Sequence, residues 1–441
     1  MSDESKTRID PLARPLDGAA HVPGDKSISH RAVLFAAMAE GTSRLTGVLD
    51  SADVRSTIGA VRALGADVTL ERQLDGSLAG GVTGWGDKGP CAPEAPIDCG
   101  NSGTTARLLM GVLAPWSVCV EITGDDSLKK RPMRRIIAPL MKMGVSFEPE
   151  ACETLPVVEK GTPCLKAIEY DSPMASAQLK TAVLLAGLGA PGETVVNEPA
   201  ISRNHTELML PEYGVTVASA FRRASVTGPV RLHAAEVDVP GDPSSAAFLV
   251  CAALLKPGSS IQVENVSLNP GRVGFIRTLE RMGASIEVRY STAEGKEPIG
   301  IIEASYTEGL VGCEVPSQHI ASEIDEIPVL SLVAAHASGI TVFRSIDELT
   351  KKESNRLTAI IEGLEQLGVN AWVENDDLFI EGKPGLEVPS GLTFDSRKDH
   401  RLAMTWALVG LCSDQPVDII DFDSVEVSFP RFLSTFEELT R

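Results

Sequence analysis

The chain has no apolar run of the about 18 residues that a membrane-spanning helix needs. Its opening, MSDESKTRID, is polar where a secretion leader would be apolar, so no leader is expected. Cysteine is sparse, eight residues in 441 with no pair at C-x-x-C spacing. That excludes a disulfide scaffold and points to a reduced, cytoplasmic setting. The seven histidines are scattered outside any zinc-like cluster, so no metal is expected. Neither the phosphate-loop motif nor the strand-borne dinucleotide fingerprint occurs. Basic residues are in deficit, 40 Lys and Arg against 60 Asp and Glu, a net charge of −20. Such a surface repels nucleic acid and anionic membranes, and neither is expected as a partner.

Hydrophobic residues make up 43% of the chain, enough for two cores of about 200 residues each. The sequence repeats itself. Val22-Pro23-Gly24-Asp25 returns as Val239-Pro240-Gly241-Asp242, and at the same offset Ser27 meets Ser244 and Gly41 meets Gly258. Within each half, three segments begin with small polar residues and run into a helix that is apolar all round, which therefore must be buried all round. They start at Gly24, Gly100 and Met174, then at Gly241, Ile324 and Lys398. Left-handed glycine caps are expected at the ends of several. A second, amphipathic helix follows most of them and ends in Gly before a β-branched run, at Gly65, Gly144, Gly214, Gly283 and Gly368. Each unit reads strand, buried helix, strand, amphipathic helix, strands. The expected architecture is α/β (α+β): two similar lobes of three βαβαββ repeats. One lobe covers 22–239 and the other 1–21 plus 240–441. Two crossings, near Pro23 and Pro240, make a hinge and a ligand cleft between lobes.

Helix N-termini favour anions. Capping alone accounts for Ser, Asn and Asp there, at about 1 kcal/mol each. The cations argue for more: Lys26, Arg31, Arg107, Lys180, Arg203 and Arg401 lie in or near these segments. A charge on an otherwise buried helix is expensive without a partner. Two further stretches, SLKKRPMRR and LTKKESNRL, read as solvated basic faces taken alone. Yet Arg131-Pro132 places a guanidinium at a helix start, suited to two-point binding of a carboxylate. Lys352, Glu353 and Arg356 would share one helical face, an acid between two cations. Asp325 opens the fifth buried helix, either as its cap or as a carboxylate able to accept a hydroxyl proton. His30 and His400 read as supporting neighbours of the site or as structural rather than catalytic.

The segments GDKSISHR, GNSGTTAR, KKRPM, ASAQLK, SRNHTE, IDEIP, KESNRL and DHRLAM, in this order and spanning almost the whole chain, resemble those of the 5-enolpyruvylshikimate-3-phosphate synthase family. The resemblance implies two lobes with buried parallel helices, an inside-out barrel, closing on shikimate 3-phosphate and phosphoenolpyruvate. It implies transfer of the enolpyruvyl group to the 5-hydroxyl through a tetrahedral ketal phosphate, with no cofactor, in a monomer. Carried over by position, Lys26, Asp325 and Glu353 are catalytic. Lys26, Ser27, Arg31, Ser176, Ala177 through its backbone, Gln178, Ser202, Asp325 and Lys352 hold shikimate 3-phosphate. Lys26, Asn101, Gly103, Arg131, Gln178, Arg356 and Arg401 hold phosphoenolpyruvate.

Some positions depart from the best-known branch of that family. Ala177 stands where it has Ser, His205 where it has Tyr, Glu348 where it has Asn, and Val427 where it has a donor-binding Lys. KKRPMRR or SRKDHR is expected to supply the missing charge. ASAQ and VSFP resemble the second branch, which includes glyphosate-tolerant members. The related transferase acting on UDP-N-acetylglucosamine is the nearest alternative, but its loop Cys before Arg-Pro is missing from GDDSLKKRP. A non-catalytic anion-binding protein is the other, and it would not need Lys26, Asp325 and Glu353 together.

Overall fold

The computed structural model describes residues 5–291 and 296–441. The chain divides into two compact units. The N-unit is Gly24–Val239 with Gly295–Glu297; the C-unit is Met1–Pro23, Pro240–Glu294 and Pro298–Arg441.

The six all-apolar segments are helices: Lys26–Met38, Gly103–Leu113 and Ala177–Gly187 in the N-unit, and Pro243–Leu255, Ile327–His336 and His400–Cys412 in the C-unit. Every residue from His400 to Leu411 is buried, as a helix without a polar face requires. Polar side chains inside them bond locally: Ser331 Oγ donates to Ile327 O and Thr405 Oγ1 to Arg401 O, both at 2.7 Å. The fourth, fifth and sixth helices each pack against the other two.

The strands follow one rule. The strand before a buried helix pairs in parallel with the strand after it, and an antiparallel hairpin extends that pair. In the second repeat Ile97 lies opposite Ile122 in parallel, Cys119 opposite Lys160 antiparallel, and Ser146 opposite Lys160. Each parallel pair encloses a helix because only a crossover can return the chain in the same direction. Five sheets have four strands and one has three. The first strand of the first repeat is Glu236–Asp238, late in the chain, beside Thr42–Val48. In the C-unit the segment Asp17–His21 pairs with Ser260–Ser267, and Lys6–Ile9 pairs with Val417–Ile420.

Glycine caps divide between the helix classes otherwise than expected. The buried helices end at Ala39, Ala114, Leu188, Lys256, Ala337 and Ser413, none in the left-handed region. Neighbouring strands satisfy their final carbonyls instead: Trp85 N donates to Ala37 O at 2.9 Å and Lys383 N to Ala335 O at 2.8 Å. The approach is so close that a Cβ at Gly84 would lie 2.2 Å from Ala39 O, and one at Gly382 2.1 Å from Ala337 O. The amphipathic helices do carry left-handed glycine caps, as at Gly144, φ 111°.

Candidate active site

In each unit the N-termini of the three buried helices meet at one pole. In the N-unit, Asp25, Ser102 and Ser176 cap them, accepting from Ile28 N, Thr105 N and Leu179 N. Lys26 Nζ lies 3.3 Å from Asp53 Oδ2, both half-buried. Ser27 is on the first turn, and its carbonyl accepts from Arg31 Nη1 at 3.0 Å. The remaining Arg31 donors go to Thr206 and Thr181 hydroxyls, at 2.8 and 2.9 Å. Among the described residues the hydrogen bonds of this buried guanidinium go to neutral oxygens, and burial lowers its pKa to about 10 against the pull of Glu207 and Asp25. Ser202 lies near Thr206 in sequence, and its buried Oγ has no hydrogen-bond partner among the described residues.

A second group surrounds Gly103. Arg131 Nη2 donates to Asn101 Oδ1 at 2.7 Å. Arg107 Nη1 donates to Gln178 Oε1 at 2.9 Å, joining the second helix to the third. Burial first, then the charges of Arg135 and Arg131, lower the Arg107 pKa to about 9. Among the described residues neither Arg107 nor Arg131 has a carboxylate partner. Guanidinium groups held this close, two of them bonded to neutral oxygens among the described residues, suit an anion. Ala177 is the first residue of the third helix, where backbone N–H groups lack helical acceptors.

The pole of the C-unit is built differently, with acids and bases interleaved. Asp325 Oδ1 lies 3.4 Å from Lys352 Nζ and 3.2 Å from Arg356 Nη1. Arg356, 1% exposed, also pairs with Glu353 at 2.7 Å and Asp399 at 2.8 Å. Its donors are therefore engaged by carboxylates, which raises its pKa despite burial. Arg401 Nη1 donates to Asp325 O at 3.3 Å and lies 3.6 Å from Glu326. Glu326 also accepts from Ser244 Oγ. Burial raises the Glu326 pKa against the pull of Arg401. Arg272 joins Asp242, the cap of the fourth helix, at 2.7 Å.

Four expectations are corrected here. The helix after KESN begins at Arg356 because Asn355 caps it, accepting from Thr358 N at 3.2 Å. Lys352 and Glu353 therefore precede it and do not share its face. Arg131 is extended, φ −78° and ψ 139°, and its helix starts only at Arg134. Glu326, not Asp325, is the cap position of the fifth helix, and it makes no side-chain cap bond. Lys180 is withdrawn from any anion, held between buried Glu198 and Glu207 at 2.8 Å each. In SRKDHR, Arg397 pairs with Glu362. His30 is structural: burial drives its pKa to about 3, and Nδ1 meets Thr57 Oγ1 at 2.7 Å.

Every candidate but Arg31 lies within four residues of a helix start; Arg31 is the sixth residue of Lys26–Met38. Sequence reasoning missed Asp53, Glu326, Arg272 and Asp399. Asp399, just before the sixth helix, carried a capping signal; Asp53 carried none, since its link to Lys26 is tertiary.

Two solved structures share the architecture. EPSP synthase from Acinetobacter baumannii superposes with a TM-score of 0.87 at 39% identity, covering 98% of each chain. The enolpyruvyl transferase NikO from Streptomyces tendae gives 0.77 at 18% identity over 99% of this chain and 98% of that one, a likeness of fold alone. The fold is that of the enolpyruvyl transferases. The sequence pattern of EPSP synthase (3-phosphoshikimate 1-carboxyvinyltransferase) matches residues 12–436. Proteins named 3-phosphoshikimate 1-carboxyvinyltransferase are 46% identical in Granulibacter bethesdensis, over 94% of this chain and 92% of that one, and 44% identical in Gluconobacter oxydans, over 96% and 95%. The chain belongs to the EPSP synthase family.

Proposed function

We propose that the chain transfers the enolpyruvyl group of phosphoenolpyruvate to the 5-hydroxyl of shikimate 3-phosphate. The observation that carries this reading is the contrast between the poles. In one, among the described residues, the hydrogen bonds of Arg31, Arg107 and Arg131 go to neutral oxygens, an arrangement suited to phosphate and carboxylate groups. The other holds Asp325 and Glu353 against Lys352 and Arg356, suited to moving protons.

Arg31, with Ser27, Ser176, the Ala177 amide, Gln178 and Ser202, holds shikimate 3-phosphate. The unpartnered Ser202 Oγ supports that role. Asn101, Gly103, Arg131 and Gln178 hold phosphoenolpyruvate, with Arg356 and Arg401. Lys26, positioned by Asp53, bridges both substrates. Lys352 lies at the acceptor's hydroxyls, beside Asp325.

Asp325 takes the 5-hydroxyl proton as that oxygen bonds to C2 of phosphoenolpyruvate, and Glu353 gives a proton to C3. The resulting ketal phosphate returns a C3 proton to the ionised Glu353 as the C2–O bond to phosphate breaks, and the proton held by Asp325 leaves with the phosphate. The products are inorganic phosphate and the enol ether, and the two protons balance. Arg356 reaches the donor only by exchanging one of its carboxylates, and Glu353, the most exposed of them at 34%, is the one that yields. The enzyme works as a monomer in the cytoplasm; no described helix is long and apolar enough to cross a membrane.

Phosphate release from phosphoenolpyruvate, measured with each acceptor in turn, tests the assignment. Release with shikimate 3-phosphate and not with UDP-N-acetylglucosamine is expected. The opposite preference identifies the sugar-nucleotide enzyme, and release with neither identifies an anion-binding protein.

A further inference from the structure

The buried helices run parallel, so their C-termini meet at the pole opposite the charged one. In the C-unit this pole is open: a cavity of about 540 Å³ lies among Leu254, Leu332, Leu367 and Leu408. That is within the range of roughly 300–1,000 Å³ of small-molecule sites. We propose that it binds an aromatic monocation, a ring system joined by a short chain to a protonated amine.

The N-unit provides an internal template for this occupant. Its corresponding pole, at the C-termini of its own three helices, keeps only about 30 Å³. The indoles of Trp85 and Trp116 line what remains. Over Trp116 lies the guanidinium of Arg231, 5.4 Å from the ring centroid and 2.6 Å from Asp87. There the chain fills the converging helix ends with an aromatic ring topped by a cation of its own. The electrostatics explain the choice, since each helix C-terminus carries about half a negative charge.

The C-unit pole has Tyr306 at its lining but no Trp and no cation; Leu254 O, Ala335 O and Leu411 O already accept from Thr307 N, Lys383 N and Leu12 N, so what it presents to a ligand is the negative end of three helix dipoles. Its apolar floor suits a ring. Glu308, Glu387 and Asp414 line it, and no Lys or Arg does. His336, on the last turn of the fifth helix, also lines it and has no hydrogen-bond partner among the described residues. Burial lowers its pKa to about 4, so a neutral imidazole is available to accept from an ammonium. The cavity thus offers what the ring-and-cation pair finds in the other unit, without supplying the pair.

Tryptamine joins an indole to an ammonium and is the probe; indole-3-propionate carries the same ring with the opposite charge. Calorimetry on the full chain is expected to show saturable tryptamine binding, with the propionate weaker by about tenfold or more. Ser338→Trp, which sets an indole at the exposed rim, should abolish tryptamine binding and leave turnover unchanged. The surface variant Glu387→Gln/Asp414→Asn should weaken binding by about tenfold and does not depend on refilling the cavity. Equal binding of the two indoles, no tryptamine binding, or binding untouched by both variants overturns the proposal.

Discussion

Arg356 Nε and Asp399 Oδ2 form a salt bridge of 2.8 Å in which neither side chain is more than 1% exposed. Asp399 also caps the sixth helix, accepting from Arg401 N at 3.0 Å. One carboxylate therefore fixes both a helix start and the guanidinium that organises Asp325 and Glu353. Asp399→Asn keeps the cap and removes the charge, so it should destabilise the C-unit by about 3 kcal/mol in urea unfolding. Arg356 holds the Asp399 pKa below the ordinary aspartate value despite burial. The unfolded chain then binds the extra proton, so this contribution is complete above about pH 4 and lost as pH falls further. The variant's deficit should shrink in acid; a deficit independent of pH contradicts the assignment.

Glu323 acts in the opposite direction. Burial raises its pKa from 4.5 to about 7, and Thr278 Oγ1 donates to it at 2.7 Å. Its folded form holds the proton more tightly, so its contribution is full below about pH 4.5 and lost as pH rises through about 7. Thermal unfolding of Glu323→Gln should be flatter than wild type across that interval. Parallel Tm profiles would show that Glu323 does not titrate there.

Gly103 faces guanidinium groups rather than backbone. A Cβ there would lie 2.8 Å from Arg107 Nη1 and 3.6 Å from Arg131 Nη1. A flexible side chain can yield, so Gly103→Ala should fold with an almost unchanged Tm. It should raise the KM for phosphoenolpyruvate by about tenfold with a smaller effect on shikimate 3-phosphate. Equal KM changes for both substrates would place Gly103 elsewhere.

Asp325→Ala removes the proposed base, and turnover should fall by about 100-fold or more. A loss within about threefold shows that another group takes the hydroxyl proton.

Much of this was legible in the sequence because the fold repeats. An all-apolar helix has one solution, burial, and six of them at matching offsets announce two similar trios. Capping residues gave the helix starts, and with them most of the residues proposed for the site. The misreadings were local contests. At Lys352 and Glu353 an i,i+4 pattern lost to the Asn355 cap two and three residues on. At Lys180 a cation near a helix start had buried partners, Glu198 and Glu207, 18 and 27 residues downstream, which no short motif records. The glycines after the buried helices belong to turns because strand amides already satisfy the helix carbonyls.

Turnover in D2O tests the central claim most directly. Addition and elimination at C2 require a methyl group to form transiently at C3 with one solvent-derived hydrogen. Mass spectrometry of the product should therefore show deuterium in the enol ether methylene, with one phosphate released per enol ether. An enol ether with an unlabelled methylene, or phosphate without any enol ether, contradicts the account.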